Sequence, residues 1–441
     1  MSPLKRVHAD LENRDYCNWI EFLRNAEGWD RIEIEDYQYN EIQSIVQYAF
    51  DNFPGYRKLY EEAGISSGEI HDMEDFQKLP FIEKDMIRDR LEEFSLKTQG
   101  SKYVTTGGST GIPMGFYRHH TAFSKELASK AHQYYRVGWN EGDSQFVLRG
   151  IPIKNNIQFF PRFNELRCSS YHLTAEWIEK YCRRAIKHDV KWIRCYPSTG
   201  YLFANYIKET GYEFPELKGI LCASENLYDF QKKLISEVFG VRVFSHYGHF
   251  EQAALAGFCE HEDTYHVLPF YGYAELIGPD GEKITKPGEM GEIVGTSFSM
   301  RSTPFIRYKT KDFAVLTDER CSTCGRPYQI WDKIEGRLQE FILTTTNRYI
   351  SMTAVNMHDD IFDKIRQFQF LQEKKGEVTF KYIPKNSLSQ KIVDTIKQRL
   401  VHKIGPDVVL NTERVSSIPL TPRGKHRFLI QKLPLKIYHD K

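Results

Sequence analysis

The run TTGGSTGIPMGFYR begins with Thr105, Thr106, Gly107, Gly108, Ser109, Thr110 and Gly111 and closes at Arg118. Hydroxyls interleaved with glycines suit an anion: backbone N–H groups without side-chain bulk can turn together toward a phosphate, and Ser and Thr add donors. A merely flexible loop has the same composition, so the meaning of the run depends on its companions in the chain. Downstream, HYGHFE brings Tyr247, Gly248 and Glu251 to the end of an expected strand over 241–245. Glu251 offers a hard oxygen ligand for a cation, and Tyr247 offers a ring face for a base. The expected strand over 219–222 ends in Ala223, Ser224, Glu225 and Asn226. In PFIRYKTKD, Asp312 can accept hydrogen bonds from a pair of ribose hydroxyls. EGR presents Arg337, and SSIPLTPRGKHR presents Lys425 just after a glycine. Taken singly, Glu251 is also explicable as a helix-start carboxylate, Asp312 as a turn residue and Lys425 as a solvated lysine. His119, His120 and His246 read as loop or core residues.

A second constellation is built from thiols. Cys321 and Cys324 form a C-x-x-C, and Cys259 and His266 stand seven residues apart in FCEHEDTYH. Three thiolates and one imidazole make a closed tetrahedral zinc set, which implies structure rather than catalysis. His261 is the alternative nitrogen ligand, and free thiols or a redox pair are the competing readings. The expected use is to staple a β-rich region to a helical turn after Glu251.

The elements that must position these residues follow from periodicity. The first hundred residues read as helix, with loops at 52–56 and 79–80 and a helical segment over 82–93. Helix over 174–188, strand over 191–195, helix over 201–209, strand over 219–222, helix over 228–239 and strand over 241–245 then alternate, as in a parallel sheet covered by helices. Such sheets hold ligands at the carboxyl ends of their strands. Past Tyr265 short β-rich pieces predict antiparallel pairing. After Arg337, strands over 367–372, 378–383 and 408–414 surround a helix over 389–404 whose Ile392, Ile396, Leu400 and Ile404 share a face.

The 441 residues carry 60 basic and 59 acidic side chains, a formal net charge of +1. No global field draws the chain to nucleic acid, and nucleic-acid binding is not expected. The first fifteen residues lack the apolar core of a signal peptide, and no run approaches the length of a transmembrane segment. A cytoplasmic location is therefore expected, with Cys17, Cys168, Cys182 and Cys195 as small core residues.

Phosphate loop, Y-G-x-x-E, R-Y-x-T-x-D, G-R and a C-terminal G-K, in this order, resemble the adenylate-forming superfamily of acyl-CoA synthetases and adenylation domains. NFPGYRKLYEEAGI and KLPFIEKDMIRD resemble its phenylacetate-CoA ligase and CapK branch, whose CapK members occur in surface-polysaccharide biosynthesis. The resemblance implies an α/β fold: a large multi-layer part over 1–336, with parallel sheets flanked by helices and a β-rich subdomain. A small mobile α+β domain over 337–441 would carry the catalytic lysine. It implies an AMP-forming ligase that activates a carboxylic acid with ATP and transfers the acyl group to CoA or an amine. Glu251 would hold Mg²⁺, Lys425 would bridge the carboxylate and the α-phosphate, and the loop over 105–111 would cradle the leaving phosphates. Asp312 and Arg337 would fix the ribose. Ala223, Ser224, Glu225, Tyr247 and Gly248 would border the nucleotide. Phenylacetate-like ligases show similar Cys and His patterns, in keeping with structural Zn²⁺.

Departures are informative. Met114 stands where many members have lysine, Phe250 where Thr is usual, and Gln339 at the hinge position usually occupied by Asp or Lys. The segment over 344–356 lacks the Arg-Gly-Val-Asn run that follows the hinge in phenylacetate-CoA ligases, which makes an amine on a sugar or amino acid a serious rival to CoA as acceptor. Phe250 and Gln339 also motivate the alternative of a non-catalytic nucleotide-binding scaffold. No motif marks the identity of the acid or an oligomer contact. Tyr196, Tyr201 and Phe250 would suit an apolar or aromatic acid, and equally ordinary core packing.

Overall fold

Ile42, Ile45, Val46 and Ala49 recur at helical spacing, and the helix they form buries them completely. A computed structural model describes residues 14–433 except 69, 107–113, 150–152, 171–172, 319, 338–339, 356–363 and 422–425. The chain divides into two compact units, one from Met1–Asn140 with His246–Ile334 and one from Glu141–Ser245 with Glu335–Lys441.

In the first unit, α1 (Arg14–Ala26) precedes α2 (Arg31–Asn52). Asp30 and Glu33 close the start of α2 with a reciprocal capping box. The loop expected over 52–56 is a single residue, Phe53, because α3 (Pro54–Glu62) restarts at once with proline at its first turn. Proline has no N–H to lose there, and its fixed φ already suits a helix. After α4 (Met73–Lys78), the helix expected over 82–93 divides at Arg90 into α5 (Lys84–Asp89) and α6 (Leu91–Phe94). Ile82 stays extended instead: its N–H donates to the Arg307 carbonyl at 3.1 Å, and its carbonyl accepts from Lys309 at 2.9 Å. Strands β1 (Ser101–Thr105) and β2 (Gly115–His119) pair antiparallel, and α7 (His120–Arg136) follows. His119 caps α7 by accepting the Thr121 N–H. Cys17 is exposed, because the buried stripe of α1 runs through Tyr16, Trp19, Ile20 and Leu23 and leaves position 17 outside. The expectation of a core cysteine there is corrected.

The second unit opens with β3 (Gln145–Arg149), β4 (Ile157–Phe160) and β5 (Glu165–Ser169). Next come α8 (Ala175–Lys187), β6 (Trp192–Cys195), α9 (Pro197–Thr210), β7 (Gly219–Ala223) and α10 (Asp229–Phe239). Strands β7, β6, β3 and β5 are parallel neighbours in that order, and β4 joins the edge antiparallel. The helices bury Phe146, Leu148, Ile193, Phe203, Ile220 and Ile235 against the sheet, together with Cys168, Cys182 and Cys195. Strand β8 runs from Val243 to Gly248. The first unit resumes with the antiparallel strands β9 (Leu255–Phe258), β10 (Tyr265–Val267), β11 (Gly272–Ile277), β12 (Met290–Ser297), β13 (Tyr308–Asp318) and β14 (Ile330–Arg337).

Beyond Glu335 the second unit adds β15 (Phe341–Leu343), β16 (Tyr349–Ser351) and α11 (Met352–Val355). They precede β17 (Ile365–Lys374), β18 (Glu377–Pro384), α12 (Gln390–Ile404), β19 (Val409–Arg414) and β20 (Leu429–Gln431). The last four strands order as β19-β18-β17-β20, and Ile396, Leu400 and Ile404 of α12 are buried on that sheet. Tyr228 and Phe230 share a core with Phe368, Phe380 and Phe428.

His426, next to Lys425 in sequence, is 6% exposed, with its Nε2 2.8 Å from the Phe368 carbonyl. Burial pushes its pKa down to about 4, since a proton on Nδ1 would sit among apolar neighbours. A depressed folded pKa gives stability that is present above about pH 6.5 and lost as pH falls toward 4. Acid titration of thermal stability should therefore show a slope in this window that is reduced in His426→Gln. An identical slope in the variant would remove His426 as its source.

Candidate active site

Glu251 lies in the tight turn between β8 and β9, where the Gln252 N–H closes on the His249 carbonyl at 3.2 Å. The helical turn expected after Glu251 is absent: β8 and β9 form an antiparallel pair, so the chain reverses and continues as strand. Glu251 is 8% exposed. The Tyr308 hydroxyl donates to its Oε1 at 3.1 Å, and His249 Nδ1 lies 3.3 Å from Oε2. Tyr247, on β8, donates its hydroxyl to Asp312 Oδ2 at 2.9 Å. Strand β13 thus supplies partners to both motif residues of the β8 end, Tyr308 for Glu251 and Asp312 for Tyr247. Behind β13, the Arg307 guanidinium is locked by Glu275, at 3.1 and 3.2 Å, and by the Gln77 and Leu79 carbonyls. A single carboxylate beside a phenol suits Mg²⁺, which keeps several waters and takes further oxygens from phosphates.

At the base of the phosphate-loop candidate, the Thr106 N–H donates to the Met114 carbonyl at 2.8 Å, and Thr106 Oγ1 accepts from the Met114 N–H at 3.0 Å. Thr105 and Thr106 therefore form the neck of the loop. Gly107, Gly108, Ser109, Thr110 and Gly111 lie outside the described residues. Met114 is fully buried in the core with Phe116 and Phe305, so a cation at this position would have to be taken out of water.

In the second unit, β7 delivers Ala223 buried at its carboxyl end, and Ser224 turns with φ 70. Glu225 Oε2 accepts the Ser198 N–H at 2.9 Å at the start of α9. The His426 N–H reaches Ser198 Oγ at 3.4 Å, so the chain adjoining Lys425 lies against the segment that Glu225 holds. Lys425 and Gln339 themselves fall outside the described residues. Gly336 has φ 83, and a Cβ there would meet Glu340 Oε2, so the residue before Arg337 has to be glycine. Glu340 in turn accepts from the Tyr228 hydroxyl at 3.1 Å and the Asn226 amide at 3.3 Å. Tyr196 caps α9, and Tyr201 packs edge-on to Phe230 at 5.3 Å.

Among the non-glycine residues with left-handed backbone, Ser224, Gln252 and Lys311, with φ 70, 57 and 62, lie at or beside candidate residues. Such conformations persist only where surrounding contacts over-determine them. No propensity scale would have exposed this, because the residue types are ordinary.

The thiol constellation is assembled as expected. One ligand atom each from Cys259, His266, Cys321 and Cys324 lies within 4.8 Å of all the others. Cys259 follows β9 and His266 sits on the adjacent β10, while the Cys321 Sγ accepts the Cys324 N–H at 3.5 Å. The His261 N–H points to the Cys259 Sγ at 3.4 Å, which makes His261 a neighbour of the set through its backbone. Three sulfurs and one nitrogen at this spacing fit a tetrahedral zinc ion.

The CapK C-terminal domain model matches residues 342–432. Protein CapK of Staphylococcus aureus is 24% identical over 437 residues, covering 95% of this chain and 93% of that protein. Phenylacetate-coenzyme A ligase of Thermus thermophilus is 23% identical, covering 92% and 97%. Over nearly its whole length the chain is similar to proteins of the phenylacetate-CoA ligase and CapK-like branch of the adenylate-forming superfamily. The fold is shared with 2-hydroxyisobutyryl-CoA ligase in the postadenylation state, at TM-score 0.76, 18% identity and coverage of 93% and 92%. It is shared also with the GH3.15 acyl acid amido synthetase, at TM-score 0.61, 11% identity and coverage of 87% and 86%. The sequence motifs include Glu251, Tyr247 and Asp312, and the phosphate-loop run ends at Arg118, but they pass over Glu126 and give Arg118 no role. The signal of that pair is spatial, since both contact the Glu251 turn from far away in sequence.

Proposed function

We propose that the chain activates a carboxylic acid as its acyl-adenylate and passes the acyl group to CoA or an amine. The observation that carries this reading is the buried Glu251 carboxylate set beside the Tyr247-Asp312 pair at the end of β8. In the first step a carboxylate oxygen bonds to the α-phosphorus of ATP, and the bond to pyrophosphate breaks. In the second, the acceptor's sulfur or nitrogen bonds to the acyl carbon and AMP leaves.

Two anions about 4 Å apart repel by about 1 kcal/mol in water and about 4 kcal/mol at an effective dielectric near 20, so a partly dry site needs cations. Lys425 would bridge the acid and the α-phosphate, stabilising charge that redistributes during attack. Glu251 would hold Mg²⁺, which when bound neutralises phosphate charge. Thr105 to Gly111 would cradle the phosphates, Asp312 and Arg337 would orient the ribose, and Ala223, Ser224, Glu225, Tyr247 and Gly248 would border the nucleotide. The boundary near 336–337 would let the C-terminal residues serve one half-reaction and then the other. Zinc at the four-residue set would brace β9 and β10 against the Cys321 turn. In keeping with the CapK-like resemblance, a place in surface-polysaccharide biosynthesis is proposed, with an amine on a sugar or amino acid as the rival acceptor to CoA. Among the described residues no helix is long and apolar enough to cross a membrane, and a cytoplasmic site of action is proposed.

Carboxylate-dependent ATP-pyrophosphate exchange over aryl, fatty, amino and sugar acids tests this reading. Exchange with one class supports it and identifies the acid. ATP binding without exchange across the panel would favour the scaffold alternative, motivated by Phe250 and Gln339. Tyr247→Phe is expected to raise the KM for ATP about fivefold, the loss of roughly 1 kcal/mol from one hydrogen bond that orients Asp312. An unaltered KM would detach that pair from the nucleotide.

A further inference from the structure

Both sequence neighbours of Glu251 are tied to one buried ion pair. Phe250 is 38% exposed, yet its ring covers the Arg118 guanidinium at 4.7 Å, and Phe123 flanks the same guanidinium at 4.8 Å. Phe250 also meets Phe116 edge-on at 5.9 Å. On the other side, Gln252 is 1% exposed and left-handed at φ 57, and its side-chain amide donates to Glu126 Oε2. Arg118 Nη1 lies 3.7 Å from that same oxygen, and Lys130 holds Oε1. Burial works against the Glu126 charge, but Lys130, Arg118 and Gln252 outweigh it and hold its pKa below the usual carboxylate value.

Arg118 is on β2, the strand that leaves the phosphate-loop candidate, and Glu126 is on α7 directly after it. The turn that carries Glu251 is therefore gripped from both sides by the β2-α7 segment. Gln252 can hold its uncommon backbone conformation because its side chain is anchored. We propose that Glu126, with Arg118, is a positioning unit that sets the Glu251 carboxylate for the metal, acting through Gln252 on one side and Phe250 on the other. The inference rests on the reading of Glu251 as the Mg²⁺ ligand. It gives Phe250 a use in place of the missing threonine hydroxyl: its ring holds the turn through a guanidinium face.

Titration calorimetry of ATP binding to the full-length chain over a series of Mg²⁺ concentrations tests it, with thermal unfolding of each variant alongside. Glu126→Gln and Gln252→Ala are expected to keep the Mg²⁺-free ATP affinity and to need about tenfold more Mg²⁺ for the same gain, as for other residues that orient a metal ligand. A merely structural role would lower the melting temperature and leave the Mg²⁺ requirement alone. That result overturns the inference while leaving the function standing. Gln252→Ala spares the Glu126 ion pairs, so it decides the question even where Glu126→Gln fails to fold. Wild-type ATP binding that ignores Mg²⁺ would defeat the metal reading of Glu251 itself, and the inference with it.

Discussion

Lys425→Ala is expected to reduce ATP-pyrophosphate exchange about a hundred- to a thousandfold while ATP binding is largely kept. The asymmetry arises from where the charge is needed. In the ground state the phosphates have other donors, but as the acid closes on the α-phosphorus negative charge gathers on oxygens that one ammonium would bridge. A preorganised donor aimed at developing charge contributes about 3–4 kcal/mol to the barrier. The chain on the far side of Lys425 is well fixed: His426 is buried, its N–H reaches Ser198, and Phe428 packs on Phe368 at 5.0 Å. An exchange rate equal to wild type in the variant would end the assigned role. Loss of ATP binding in step with exchange would make Lys425 a nucleotide anchor instead.

Removing zinc is the second large effect. The purified chain is expected to carry one zinc per molecule by elemental analysis, and Cys321→Ser to lose it. The variant should be destabilised by roughly 3–5 kcal/mol, as expected when a metal is lost, with a fall in melting temperature of about 10 °C. Cys321 and Cys324 lie on a turn where the Gly325 N–H donates to the Cys321 carbonyl at 2.9 Å. Cys259 follows β9 and His266 lies on the neighbouring β10, so the ion would join these strands to the Cys321 turn. Cys17→Ser is the control, because that thiol is exposed in α1 and outside the set. A metal-free protein whose melting point is indifferent to Cys321→Ser would leave four cysteine and histidine side chains with no structural ion to hold. Since β9 starts shortly after the Glu251 turn, the same variant should also weaken exchange through that turn.

Much of the molecule was legible without coordinates. Apolar periodicity located α8, α10, α12 and strands β6, β7, β17 and β18 to within a few residues, because each buries one face and that face dictates residue type. The order of the motifs, and the pairing of a C-x-x-C with a distant cysteine and histidine, were likewise readable, since chemistry restricts which residues can serve.

Direction and partnership, by contrast, emerged only in the folded chain. Met114 turns into the core and Cys17 out of it, which depends on which face of an element meets a neighbour. The loop expected over 52–56 shrank to Phe53 because packing of α2 on α3 favours an immediate restart, and proline permits one. Ile82 left its expected helix to pair with the Tyr308 strand, an edge supplied from more than two hundred residues away. Tyr308 on Glu251, Tyr247 on Asp312, and Glu126 on Gln252 are contacts between segments remote in sequence. Local sequence carries the propensities and the reactive groups. Which buried polar atom satisfies which other is settled only when the chain closes and each such atom must find a partner or bear the cost of having none.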